Sequence, residues 1–222
     1  VKDLDWDAHR AVVCYRCSRE DVVCKVVEQA KKTGLNVYYD IDDLIFDYER
    51  ISYLHFLTGS EYKDFKKTTE QIHSCMELCD GYFTSTDTLA GEIRREFPGK
   101  PVVINRNCAS MEMQILSHDA VEQVEKDPEH IFIGYFSGSK THDQDFEVAE
   151  EALLEVMKEH PEVRLKLVGV LSDRKMEKFG NKVEKLPFMD WKQLPSVMAG
   201  IDINLMPLEN TLFHWCKSEN KW

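Results

Sequence analysis

Three carboxylates crowd one short stretch, Asp40-Ile41-Asp42-Asp43. Like charges this close repel unless a cation, a hydrogen-bond donor or water separates them. Three chemistries fit. The pair could be a metal-binding Asp-x-Asp, or a nucleophile at Asp40 with Asp42 as its acid/base partner in phosphoryl transfer. It could also hydrogen-bond a substrate in a cleft. A loop and helix-cap cluster needs no function at all. Elsewhere, Lys217 and Lys221 stand one helical turn apart and can converge on an anion, with the Ser218 hydroxyl beside them. Ser137-Gly138-Ser139 is a small-residue turn. Where such a turn opens a helix, its N–H groups can point at a phosphate without Cβ obstruction, although many such turns simply cap a helix. His142, just beyond, suits either a hydrogen-bond donor to phosphate or sugar hydroxyl or an ordinary helix-start histidine.

These residues need elements to hold them. Ala11–Tyr15 is a short apolar run, and Ser18 with Asp21 three residues on resembles a capping box. Val23, Val26, Val27 and Ala30 give the following helix a buried stripe, and Gly34 ends it. Strands are expected at Val37-Tyr38-Tyr39, Gly81–Thr84 and Pro101–Ile104, with helices over about 61–78 and 89–97 between them. The alternation breaks at 107–129, an acidic stretch read as a linker or a solvated helix. It then restarts: strands at 131–136, 164–170, 183–186 and 201–206, with helices from about 143 and over 191–199. Repeated strand–helix–strand units imply parallel sheets covered by helices, here in two Rossmann-like lobes. The boundaries expected are 1–108, a linker 109–129, and 130–222.

The chain has 222 residues, 43% of them apolar and 31% charged, which is a globular composition. Its formal net charge of −12 is shared between both halves, −4 over 1–110 and −8 over 111–222. Neither half has the positive excess that a phosphate backbone demands, so nucleic acid and anionic lipid surfaces are not expected as main partners. No apolar run is long enough to span a bilayer. Cys14 and Cys17 form a CxxC with no second one at zinc-finger spacing; a redox pair and plain reduced thiols both remain open.

From Ile131 to Lys221 the order of motifs resembles the donor-binding lobe of bacterial family 4 glycosyltransferases, which have the two-lobed GT-B fold. The carriers are Gly134–Ser139, Thr141-His142, Asp145-Phe146, Arg164–Gly169, Leu186-Pro187-Phe188, Leu194-Pro195, Asp202–Glu209, Phe213 and Lys217–Lys221. Asp40–Asp47 resembles a signature of the other lobe in the same subgroup, so the first lobe would be the acceptor side. The chain departs from the common family pattern at Phe213–Lys221, where many members carry a Glu-Gly-Phe-Gly-type turn, and offers only Lys140 and His142 where many carry Arg and Lys.

The resemblance implies a hexosyl transfer, retaining and metal-independent, from a nucleotide-sugar to a cell-surface polysaccharide or glycoconjugate. It implies donor contacts from Ser137, Gly138, Ser139, Thr141, Phe188, Lys217, Ser218 and Lys221, and catalytic roles among Glu219, His142 and Glu209. Asp40, Asp42 and Asp43 would then be acceptor-cleft residues, the reading we favour for them. It implies no resident metal or cofactor, and a cytoplasmic place that includes the inner face of the membrane. The competing readings are a haloacid-dehalogenase-like phosphatase using Asp40 and Asp42, and a non-catalytic sugar-nucleotide-binding module. Val1 in place of Met, a short first lobe and a helix only begun at Lys217–Trp222 suggest an excerpt of a longer enzyme, with weak or absent activity of its own.

Overall fold

Short β-branched and aromatic runs separated by amphipathic stretches bury their apolar side chains by packing helices against a parallel sheet. The computed structural model, which describes residues 4–47, 49, 59–138, 143–172 and 174–218, shows this twice. The chain divides into two units. Unit 1 comprises Val1–Asn107 and Asn210–Ser218; unit 2 comprises Cys108–Glu209 and Glu219–Trp222.

Unit 1 carries a four-stranded parallel sheet in the order β1-β2-β3-β4: β1 (Ala11–Tyr15), β2 (Asn36–Ile41), β3 (Gly81–Thr84) and β4 (Val102–Ile104). The intervening helices are α1 (Asp21–Lys32), α2 (Gly59–Glu77) and α3 (Asp87–Glu96). The core lies on one face, with Val37, Tyr39 and Ile41 of β2 against Val27 and Ala30 of α1, Ile72 and Met76 of α2, and Leu89 and Ile93 of α3. Gly34 takes φ +76 just past α1, a conformation that costs a residue without Cβ little. The capping box expected at Ser18 does not form. The Ser18 carbonyl instead accepts the Glu20 N–H at 2.9 Å, and the helix begins at Asp21 without a side-chain cap.

The second piece of unit 1 arrives late in the sequence. Thr211 caps the short helix α7 (Leu212–Trp215), and Cys216 behind it is fully buried in the unit 1 core. Buried Thr86 donates its hydroxyl to the Cys216 carbonyl at 2.9 Å while accepting the Leu89 N–H at the start of α3.

Unit 2 opens with α4 (Met111–Gln123), the solvated alternative for the acidic stretch; only Ala120 of it is buried. Its parallel sheet has the order β7-β6-β5-β8, from β5 (Ile131–Ser137), β6 (Val163–Gly169), β7 (Val183–Leu186) and β8 (Ile203–Leu205). The longer helix is α5 (Asp143–Glu159), and α6 (Leu194–Ala199) precedes β8. Tyr135 and Phe146 pack ring to ring at 5.0 Å at the centre of a core completed by Leu153, Met157, Leu165 and Leu167. Glu150, buried on α5, pairs with Lys175. The helix expected over 191–199 starts only at Leu194, because Asp190–Gln193 turn first, with Pro195 in the first turn where its missing N–H costs nothing.

Candidate functional site

In a parallel sheet every strand ends at the same edge, and the loops that leave this edge are where ligands bind, above all where the strand order reverses. In unit 2 the chain steps from β5 to β6 and β7 on one side, then returns to lay β8 on the other. Along the β5–β6–β7 part of that edge lies a cleft of about 400 Å³, within the range of small-molecule sites. Its floor is Phe136, Ser137 and Gly138 after β5, with Val168 and Gly169 at the end of β6. Its wall is the segment after β7: Phe188, Met189, Asp190, Trp191 and Leu194.

The floor is built by a close approach of backbones. Ser137 pairs in register with Gly169, and the Ser137 hydroxyl donates to the Val170 carbonyl at 2.8 Å. Gly169 adopts φ +97. Among the described residues nothing stands within 4 Å of where a side chain at Gly138 would start, and they leave its backbone open to an incoming group. Phe188 is 66% exposed and Trp191 39%, large apolar rings left in solvent at the mouth of an apolar cleft. Such a setting takes a flat, weakly hydrated ring better than it takes an ion.

The β8 loop is tied to the same unit by a carboxylate that spacing alone did not single out. Asp145, 1% exposed in the first turn of α5, accepts the Glu209 N–H at 3.0 Å. Asp143 likewise accepts the Ser172 N–H at 3.1 Å, tying α5 to the loop after β6. A sequence signal existed, since Asp145 follows the turn at a helix start where acidic residues are favoured.

Of the expected donor-lobe residues, the structure therefore brings Ser137, Gly138 and Phe188 into one cleft, with Glu209 in the same unit. Ser139, Thr141, His142, Glu219 and Lys221 lie outside the described residues. Lys217 and Ser218 belong to unit 1. The Lys217 ammonium stands over the Phe213 ring at 4.9 Å, and the Ser218 hydroxyl accepts a hydrogen bond from Asn107 at 2.8 Å.

The acidic stretch of unit 1 sits at the C-terminal end of β2, and sequence reasoning missed its partner. Arg16, one residue past β1, reaches both Asp42 at 3.0 Å and Asp43 at 3.1 Å. Its backbone takes φ +48, uncommon outside glycine, while its N–H donates to the Asp40 carbonyl at 3.1 Å. The clamp separates two of the three like charges. The Asp40 carboxyl is held above its ordinary range, first by burial and then by the charge of Asp42. Beside this edge the hydroxyl oxygen of Thr84 is buried with no hydrogen-bond partner among the described residues.

No family model matches the chain, and no curated protein matches it in sequence. Solved structures do. The likeness is to glycosyltransferases of the GT-B fold. Staphylococcus aureus TarM, crystallised as a point mutant in complex with fondaparinux, alpha-GlcNAc-glycerol and UDP, is 13% identical, with 77% of this chain and 31% of that one covered at a TM-score of 0.48. The trehalose-6-phosphate synthase OtsA is 13% identical over 82% and 49%, at 0.49. WaaG, a glycosyltransferase involved in lipopolysaccharide biosynthesis, is 16% identical over 84% and 57%, at 0.46. This chain thus spans from about a third to just over half of the length of these proteins. No helix among the described residues is long and apolar enough to cross a membrane.

Proposed function

We propose that this chain is the nucleotide-sugar-binding part of a glycosyltransferase, one that passes a hexose to a saccharide or glycoconjugate acceptor with retention and without a bound metal. The observation that carries the reading is the cleft at the C-terminal edge of β5–β7. A sugar nucleotide is a planar base joined through two phosphates to a sugar. The exposed rings of Phe188 and Trp191 suit the base. The open backbone at Gly138 suits an oxygen-rich group, since N–H donors replace the water a phosphate loses. Ser139, Thr141 and His142 continue that turn toward α5 in the sequence and would add donors.

Glu209, fixed through its own N–H by buried Asp145, is one carboxylate that could address a sugar hydroxyl; Glu219 is the other the sequence offers. Asp40, Asp42 and Asp43 would serve the acceptor, with Arg16 setting the direction of two of them. Catalysis would then consist of orientation of the two substrates and stabilisation of the departing diphosphate.

Isothermal titration with a panel of nucleoside diphosphate sugars, in chelator and without Mg²⁺, tests the reading. Binding of at least one, weakened by Phe188→Ala, is expected. A folded protein that binds none of them overturns it. Mg²⁺-dependent phosphate release abolished by Asp40→Asn would replace it with a phosphatase.

A further inference from the structure

An open sheet ends in two edge strands, and each edge is a row of N–H and C=O groups that pairs with any strand that fits unless something prevents it. In the two units, three of the sheet edges carry a protective device. β4 and β8 are only three residues long, and Pro101 stands directly before β4. β7 places Glu184 and Lys185 at its centre. β1 has no such device. Ala11-Val12-Val13-Cys14-Tyr15 is five residues with no charge and no proline, and its register on β2 runs without a bulge.

The free groups of this edge follow from the ladder. The Arg16 N–H donates to the Asp40 carbonyl, and alternate residues of a parallel strand face the same neighbour. Val12 and Cys14 therefore bond β2, while Ala11, Val13 and Tyr15 turn N–H and C=O away from it. Among the described residues these outward groups have no backbone partner; the Tyr15 carbonyl accepts only the Cys17 thiol, at 3.5 Å. The side chains of the same three residues share one face of the sheet. It is the face that α1, α2 and α3 leave bare. Strands laid side by side in chain order by right-handed crossovers put every helix on the other face, with Cys14, Tyr39 and Tyr82. Val13 is accordingly 52% exposed and Tyr15 60%.

We propose that β1 is a self-association edge, on which a second copy of this chain lays its own β1 antiparallel, with the two-fold axis at Val13. An edge whose outward residues are spaced evenly about a central one is complementary to itself. Val13 meets Val13 of the second copy and the two exchange N–H···O bonds; Ala11 meets Tyr15 at either end and does the same. On the bare face the two Val13 side chains touch and each Tyr15 ring lies beside the other copy's Ala11, so the exposed residues of β1 leave water together. Charge agrees with this occupant. The axis carries the second copy's exposed Arg10 to the end of β1 where Asp40, Asp42 and Asp43 crowd. It comes opposite Arg16, whose charge Asp42 and Asp43 already take up, with the Asp40 carboxylate in excess. The two sheets become one, antiparallel only at its middle.

Analytical ultracentrifugation of the full chain from micromolar to submillimolar concentration tests this, with amide hydrogen exchange read by NMR over the same range. A mass rising from that of one chain toward that of two is expected. In step with it the Ala11, Val13 and Tyr15 amides should become protected, whereas those of Val12 and Cys14 are protected throughout. Val13→Lys sets like charges against each other on the axis and removes an apolar contact, and should weaken association by about tenfold. Val103→Lys, at 51% exposure on the same face but at the β4 edge, should leave it unchanged. A chain that stays monomeric over the whole range overturns the proposal. So does a dimer whose three outward amides exchange as in the monomer, or protection of those amides at every concentration. Wild-type association of Val13→Lys, or an equal loss in Val103→Lys, overturns it as well. No sugar nucleotide enters these readouts, so this inference and the transferase reading stand or fall separately.

Discussion

The carbonyl oxygen of Ser137 fills the space that a side chain at Gly169 would need: a Cβ there would stand 1.9 Å from it. Both residues end neighbouring strands and both line the unit 2 cleft. Gly169→Ala must therefore either move the β5 end or change its own φ of +97. A loss of about 2 kcal/mol or more is expected in chemical denaturation, together with loss of nucleotide binding. Wild-type stability in that variant would show that the strand ends are free to part.

Asp40→Asn should stabilise the protein at neutral pH. The Asp40 carboxyl is raised by burial and by Asp42, so the folded state holds its proton more tightly than the unfolded chain does. The penalty is fully present above the raised folded value. It fades as pH falls toward the ordinary aspartate value of about 4, below which both states are protonated. The difference in Tm between variant and wild type should shrink over that window. A gain that ignores pH would assign the effect to something other than this titration.

Arg16→Asn removes the clamp on Asp42 and Asp43 while keeping a residue that tolerates φ +48. The pairs are only partly buried, so the expected loss is about 1 kcal/mol. It should diminish in about 1 M salt, where screening weakens the pairs in the wild type as well. A salt-independent loss would mean that Arg16 acts by packing.

Lys217→Ala tests the phosphate role that its spacing from Lys221 suggests. A weakening of nucleoside diphosphate binding by roughly 1–3 kcal/mol is expected, the scale of a charge-assisted hydrogen bond. Unchanged affinity with lower stability would leave Lys217 with its contact to Phe213 alone.

Local signals were legible, and distant ones were not. Gly81–Thr84 and Val183–Leu186 could be bounded to the residue because turn formers flank a short β-rich run. Ser137, Gly138 and Phe188 were gathered into one site by the family resemblance, and they share a cleft because strand ends in a parallel sheet share an edge. Arg16 escaped notice because nothing in its own neighbourhood announces partners 26 and 27 residues away. Cys14 and Cys17 were visible as a pair, yet their meeting with Cys75 and Cys79 depends on how α2 lies against β1. The letters at Ser18 only approximated a capping box, with Asp21 where Glu or Gln belongs, and the backbone turned before the helix began.

Thr86 and Cys216 are joined across 130 positions of sequence, and the whole of Cys108–Glu209 lies between them. The main stretch of unit 2 thus interrupts unit 1 in the sequence. On a ribosome, β1 to β4 emerge long before the residues that finish their core, so the first unit must wait, with the place of Cys216 empty, until the second has been made. Closing so long a loop costs entropy, and the cost falls when the chain between its ends is already compact.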